Sequence, residues 1–173
     1  MKPPMIHFIQ LGMARQNMTS DTQSTEQTLY KSVLKGAQEA AVFSEVLIDS
    51  RGVSCRALNS AEPAFYRVQA VDGQIWISME TEDRWLSGSI EGDLVNTGDK
   101  LDELIEEEVI DLGHHDAKVG FEHFRSPEML YVFRSKLSTP MEDAKAAQHA
   151  LIWLLGYEIV LRELGDMDES EED

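Results

Sequence analysis

The chain has 173 residues, 42% of them hydrophobic, which suits one domain with a real core. Its formal net charge of −17 repels nucleic-acid phosphates and anionic membrane surfaces, so neither is expected as a partner. The single cysteine, Cys55, rules out an internal disulfide framework, and a reducing cytoplasm is the expected compartment.

The first stretch, MKPPMIHFIQLGMARQN, is weakly apolar but is broken by His7 and Gln10. No small-residue cleavage site follows, so a secretory signal is not expected. Met18 opens MTSDTQSTEQ and is an alternative start to Met1; residues 1–24 are expected to be a disordered lead. Ser24 and Gln27 then stand at capping-box spacing. Leu29, Val33, Leu34, Ala37, Ala40 and Ala41 recur every three or four residues, which predicts a first helix from about Thr25. Ser44 to Leu58 has two readings: the helix runs on to about Ile48, or a short strand lies near Val53 to Leu58.

The strongest β signal follows. Asp72-Gly73 separates two β-rich runs, and both turn positions of a type I′ hairpin want positive φ. The arms are Phe65 to Val71 and Gln74 to Glu80. In the second, Ile75, Ile77 and Met79 face one way and Trp76, Ser78 and Glu80 the other. TEDR is read as a turn into a third arm, Trp85 to Glu91. Asn96 or Thr97 is read as the cap of a helix with Leu101, Leu104, Ile105, Glu108 and Leu112 on one stripe, closed by Gly113. Ala117–Phe124 and Glu128–Leu137 form another hairpin around RSPE, where Pro127 fits the turn. Thr139-Pro140-Met141-Glu142 is a compact helix start, and the last helix runs to about Leu164 with Gly165 as its stop. The longest apolar run, Ala150 to Leu161, carries Glu158 and is too short to span a bilayer. Residues 166–173 read as a disordered acidic tail.

Strands grouped in hairpins predict an α+β fold. The expectation is one domain over 25–165: an antiparallel sheet of about five strands with helices on one face, in the order α-β-β-β-α-β-β-α. This order resembles the type III secretion chaperone-like superfamily, including its YbjN-type bacterial proteins. The resemblance is carried by YRVQAVDGQIWISMETED, DKLDELIEEEVIDLG, the KVGFEHF and MLYVFRSKL arms, and the helix after Thr139. It implies a small, acidic, cytoplasmic, commonly dimeric protein that binds other proteins.

No phosphate-cradling or nucleophile-elbow motif is present, and no cofactor is expected. The acidic run DELIEEEVID reads as a solvated helix face or as a surface that steers a basic partner. Cys55 reads as a small buried hydrophobe and His149 as a packed helix residue. Two functional readings follow. In the first, a sheet with helices on one side leaves large aromatics exposed on the other. Trp76, Trp85, Tyr131, Phe133 and Trp153 are then candidates for a homodimer or protein-client surface, and the protein is not an enzyme. In the alternative, His114, His115, Asp116 and His123 gather after a bend into the site of a metal-dependent enzyme. No established ligand spacing supports that set, and its plain reading is a helix end followed by a strand.

Overall fold

The computed structural model describes residues 7–165, with side chains from Ser20 onward. Residues 1–6 and 166–173, the ends of the expected lead and tail, lie outside the described residues. Among the described residues there are four helices and six strands, and the fold is α+β. In chain order they are α1 (His7–Ala40), β1 (Phe43–Asp49), β2 (Gly52–Ala57), β3 (Ala64–Val71), β4 (Gln74–Thr81), α2 (Arg84–Thr97), α3 (Leu101–Asp111), β5 (Glu122–Arg125), β6 (Tyr131–Lys136) and α4 (Ala146–Leu164).

The sheet is antiparallel throughout, in the order β1-β2-β3-β4-β6-β5. Its centre is the β3–β4 hairpin, and Asp72 and Gly73 hold φ of 51° and 75°, as a type I′ turn requires. Strand alternation sends Tyr66, Val68, Ile75, Ile77, Met79 and Phe133 to one face, where they are buried. α1 packs there against β1–β3 and against α4, which crosses β3 and β4, while α2 and α3 lie on α4. Leu29, Val33 and Ala37 of α1 and Trp153, Leu154, Tyr157 and Leu161 of α4 complete the core. Each such large side chain contributes about 1.5–3 kcal/mol by leaving water.

Four expectations are corrected. Trp85 to Glu91 is not a third strand but the start of α2. The Asp83 carboxylate caps this helix by accepting the Trp85 N–H at 2.8 Å, and Leu86 and Ile90, one turn apart, are buried. Asn96 and Thr97 are therefore the last turn of α2, which Gly98 closes, and α3 begins at Leu101. The first helix starts at His7, so residues 7–24 belong to α1 and the Ser24 box lies inside it. Thr139 does not cap α4. Asp143 accepts the Lys145 N–H at 2.8 Å and the helix begins at Ala146. Of the two readings of Ser44 to Leu58, the strand is the one present, as β2, with β1 before it, and the sheet of about five strands has six.

Candidate functional site: the helix-free face of the sheet

With the helices gathered on one side, the other side of the sheet carries Phe65, Arg67 and Gln69 of β3, Trp76, Ser78 and Glu80 of β4, Val132 and Arg134 of β6, and Phe124 of β5. The two-residue β1–β2 turn adds a further side chain. Its Asp49 carboxylate accepts the Arg51 N–H at 2.8 Å, and Arg51 then reaches over the sheet to Glu80. The guanidinium holds Glu80 through both nitrogens, Nη1 to Oε2 at 2.9 Å and Nη2 to Oε1 at 2.6 Å.

Glu80 is buried, and a second cation compensates it. Arg67 Nη1 donates to Asp49 Oδ2 at 2.7 Å, and its Nε lies at ion-pair distance, 3.2 Å, from Glu80 Oε2. Ser78 Oγ adds a long contact of 3.4 Å to the same carboxylate. Burial lifts the Asp49 carboxyl; hydrogen bonds from Arg67 and the Arg51 N–H outweigh it and hold the group below its usual value. Towards β5, Arg134 stacks between two aromatic rings, 4.3 Å from the Trp76 centroid and 4.8 Å from that of Phe124, while its Nε donates to Glu122 at 2.7 Å.

Two clefts flank the Arg51–Glu80 bridge. The larger, about 600 Å³, lies towards Glu62, Pro63, Phe65, Glu82 and Asp83. The smaller, about 370 Å³, lies towards Gln69, Trp76, Phe124 and Glu128. Leu130 lines both, so the two halves form one groove along β4. No protein-family model, curated protein or solved structure matches this chain. The groove therefore has to be interpreted from its own chemistry: an apolar and aromatic floor, internally neutralised arginines and an acidic rim.

The five aromatic candidates separate. Trp76 lies half-buried in the groove, and Trp85 stands 87% exposed on the outside of α2. Phe133 and Trp153 are core residues, buried to within 1% of full enclosure, and neither is available to a partner. Tyr131 sits on the helix side of β6, half-buried, with Arg125 over its ring at 5.2 Å. Arg51, Arg67, Glu80, Phe124 and Leu130 were not singled out by the sequence. Alternation along β4 places Glu80 beside Trp76, but nothing local announces the reach of a turn arginine across three strands.

The four proposed metal ligands do not come together. His114 is buried, and its Nδ1 accepts the Trp153 indole N–H at 2.9 Å, which leaves its proton on Nε2. His123 stacks on Phe133, and its two nitrogens face acceptors, the Val132 carbonyl at 2.9 Å and the Glu91 carboxylate at 2.6 Å. Neither ring turns a free lone pair to a shared centre. His115 and Asp116 are exposed, and among the described residues no three His, Cys, Asp or Glu side chains are grouped to hold a metal ion. Burial pushes the Cys55 thiol up to about 12, so it stays a protonated core group at neutral pH.

His114 instead stacks on His149, centroids 3.7 Å apart, and His149 Nδ1 meets Thr139 Oγ1 at 2.7 Å. Burial, and then each ring's charged surroundings, lower both pKa values from 6.5; His149 and His115 oppose protonation of His114, and Lys145 that of His149, against Asp116 and Asp143. Both rings are thus held neutral in the fold. Below pH 6.5 the unfolded chain binds more protons than the native one, so stability is full above that pH and falls as the pH drops through the lowered native values. Urea midpoints at pH 7.5 and 5.5 measure this loss. His149→Phe keeps the stacked ring and should flatten the acid slope relative to the parent; an unchanged slope would show that the pair is not acid-sensitive.

Proposed function

We propose that this protein is a non-enzymatic protein-binding module that takes an extended segment of a partner along the helix-free face of its sheet. The observation that carries this reading is the groove over β4, with Phe65, Trp76, Phe124 and Leu130 along its length and an ion-paired arginine across its middle. An aromatic floor supplies contact area, and alternating side chains of an extended segment suit a strand-lined groove. A chaperone-like role, implied by the resemblance of the chain to the type III secretion chaperone-like superfamily, is one form of this reading. No helix among the described residues is long and apolar enough to cross a membrane, in keeping with partners met away from a bilayer. The test is co-purification from the native cell with Phe124→Ser as control. A stoichiometric partner that is lost in this variant, while the melting temperature holds, supports the reading. A partner retained at full stoichiometry overturns it.

Self-association is proposed on a different surface. Trp85 and Val95, at 87% and 81% exposure, lie on the outer side of α2 with Gly88 and Gly92 between them, where an added Cβ would meet nothing. A second α2 packing there would bring two backbones close and cover both Trp85 rings. Light scattering should then give a dimer mass. Tryptophan emission should shift to the blue with rising concentration, and Trp85→Ser should abolish both. A monomer at every concentration, with unshifted emission, removes this part of the proposal.

A further inference from the structure

The groove's charge identifies the partner segment more closely, and the inference rests on the protein-binding reading above. Every arginine in the groove is already neutralised: Arg51 by Glu80, Arg67 by Asp49 and Glu80, Arg134 by Glu122. Two carboxylates of its rim are not, while a third, Glu128, is held in its ionised form by hydrogen bonds from its own backbone N–H and from Ser126 and by the charge of Arg51. Glu62 and Glu82 at one end are exposed and, among the described residues, held in no ion pair; Glu128 is exposed at the other end. On a chain of net charge −17, such a groove attracts cations and repels acidic peptides.

Arg51 shows how a cation is bound there. It arrives from a surface turn, its side chain is 44% exposed, and its planar fork lies on the Glu80 carboxylate between the two clefts. Arg67, at 13% exposure, is the fixed partner of the same carboxylate. If Arg51 swings into solvent, Glu80 keeps Arg67 and is not left as a buried unpaired charge. A guanidinium or ammonium from outside can take the vacated place, so one half-exposed cation exchanges for another.

We propose that the groove binds an extended partner segment whose sheet-facing row of side chains carries both lysine or arginine and apolar residues, and that Arg51 is the intramolecular stand-in for the partner's central cation. From Trp76 to Glu82 the groove follows about 20 Å of strand at about 3.3 Å per residue. An extended segment of that span with both kinds of side chain in its sheet-facing row places a cation at Glu80, apolar side chains over Phe65 and Trp76, and flanking cations at the Glu62–Glu82 and Glu128 ends.

The test is fluorescence anisotropy on the full chain with three labelled octapeptides that repeat two lysines then two leucines, two glutamates then two leucines, and two lysines then two serines, so that each face of the extended peptide carries both kinds of side chain. The lysine–leucine peptide should bind about tenfold or more tightly than the other two. Arg51→Ala should tighten its binding, because the competing cation is gone. Glu62→Gln with Glu82→Gln should weaken it by roughly two- to fivefold, the effect of rim charges. Glu103→Gln with Glu106→Gln, the same change in charge on α3, should leave it unchanged. Equal binding of the glutamate–leucine peptide would overturn the basic selectivity while leaving the protein-binding reading in place. Weakening by the α3 pair as great as by the rim pair would reduce the effect to diffuse attraction and overturn the site. Looser binding in Arg51→Ala would overturn the stand-in role. Failure of all three peptides to bind would count against the groove as a binding surface altogether.

Discussion

Trp153→Ala is expected to destabilise the protein by about 3–5 kcal/mol, the range for deleting a fully enclosed tryptophan, and to lower the melting temperature by on the order of 10 °C. Trp153 has no solvent exposure and sits on α4, with its indole turned to His114 in the loop after α3. The substitution removes the ring from the core and also leaves His114 Nδ1, buried, without its donor. Trp153→Phe separates the two effects. It fills most of the volume but cannot donate, so its loss should fall between those of the parent and of alanine. Urea unfolding of the three proteins measures the series. A loss below about 1 kcal/mol for alanine would mean the ring is not a core element, and would restore Trp153 as a surface candidate.

The placement of Trp153 illustrates which features could be read from the chain. The β3–β4 hairpin was legible because two independent signals agree, the Asp72-Gly73 turn and strict alternation from Ile75 to Glu80. Trp85 to Glu91 was not, because Leu86 and Ile90 are spaced for either a strand face or one helical turn, and only the Asp83 cap decides between them. The end of α1 carries no glycine signal: Ala41 itself takes the left-handed conformation, with φ of 56°, so the helix boundary and the β1–β2 hairpin behind it stayed ambiguous. Thr139-Pro140-Met141-Glu142 satisfies the capping pattern, yet Met141 is drawn into the core and the Thr139 hydroxyl is engaged by His149, so the helix starts later.

The candidate site was legible only in part, for a related reason. Alternation puts Trp76, Ser78 and Glu80 on one face, and the excess of aromatics predicts that some face solvent. Which aromatics do so depends on where the helices pack, and that is a property of the whole fold: it buries Phe133 and Trp153 and leaves Phe124 at the groove. The histidines close together in sequence are separated by the same packing. His114 turns under α4 and His123 turns towards Glu91 on α2. Proximity in sequence across a helix end and a strand start carries little information about proximity in space.

Gly52→Ala is expected to cost about 3 kcal/mol or more and to disturb the groove as well as the fold. Gly52 has φ of 132°, a region strained for any residue with a Cβ, and that strain alone is worth about 1–3 kcal/mol. An added Cβ would also lie 2.3 Å from the Val68 carbonyl oxygen, a backbone atom of β3 at the end of its pairing with β2 and within its pairing with β4, which cannot move aside as a side-chain tip would. Gly73→Ala is the control. Its φ of 75° is also positive, but a Cβ there meets nothing within 4 Å, so only the backbone term of about 1–2 kcal/mol should remain. The difference between the two variants measures the steric contact together with the greater backbone strain at φ of 132°. Relief of that contact must come from the neighbouring β1–β2 turn, which carries Arg51, so Gly52→Ala should also loosen the Arg51–Glu80 fork. A charge-pair probe reports this. In the Gly52→Ala background, Arg51→Ala should cause a smaller further change in stability than it causes in the parent. Equal losses for the two glycine variants, or an undiminished Arg51 effect, would show that the turn is not held against Val68 as the geometry requires.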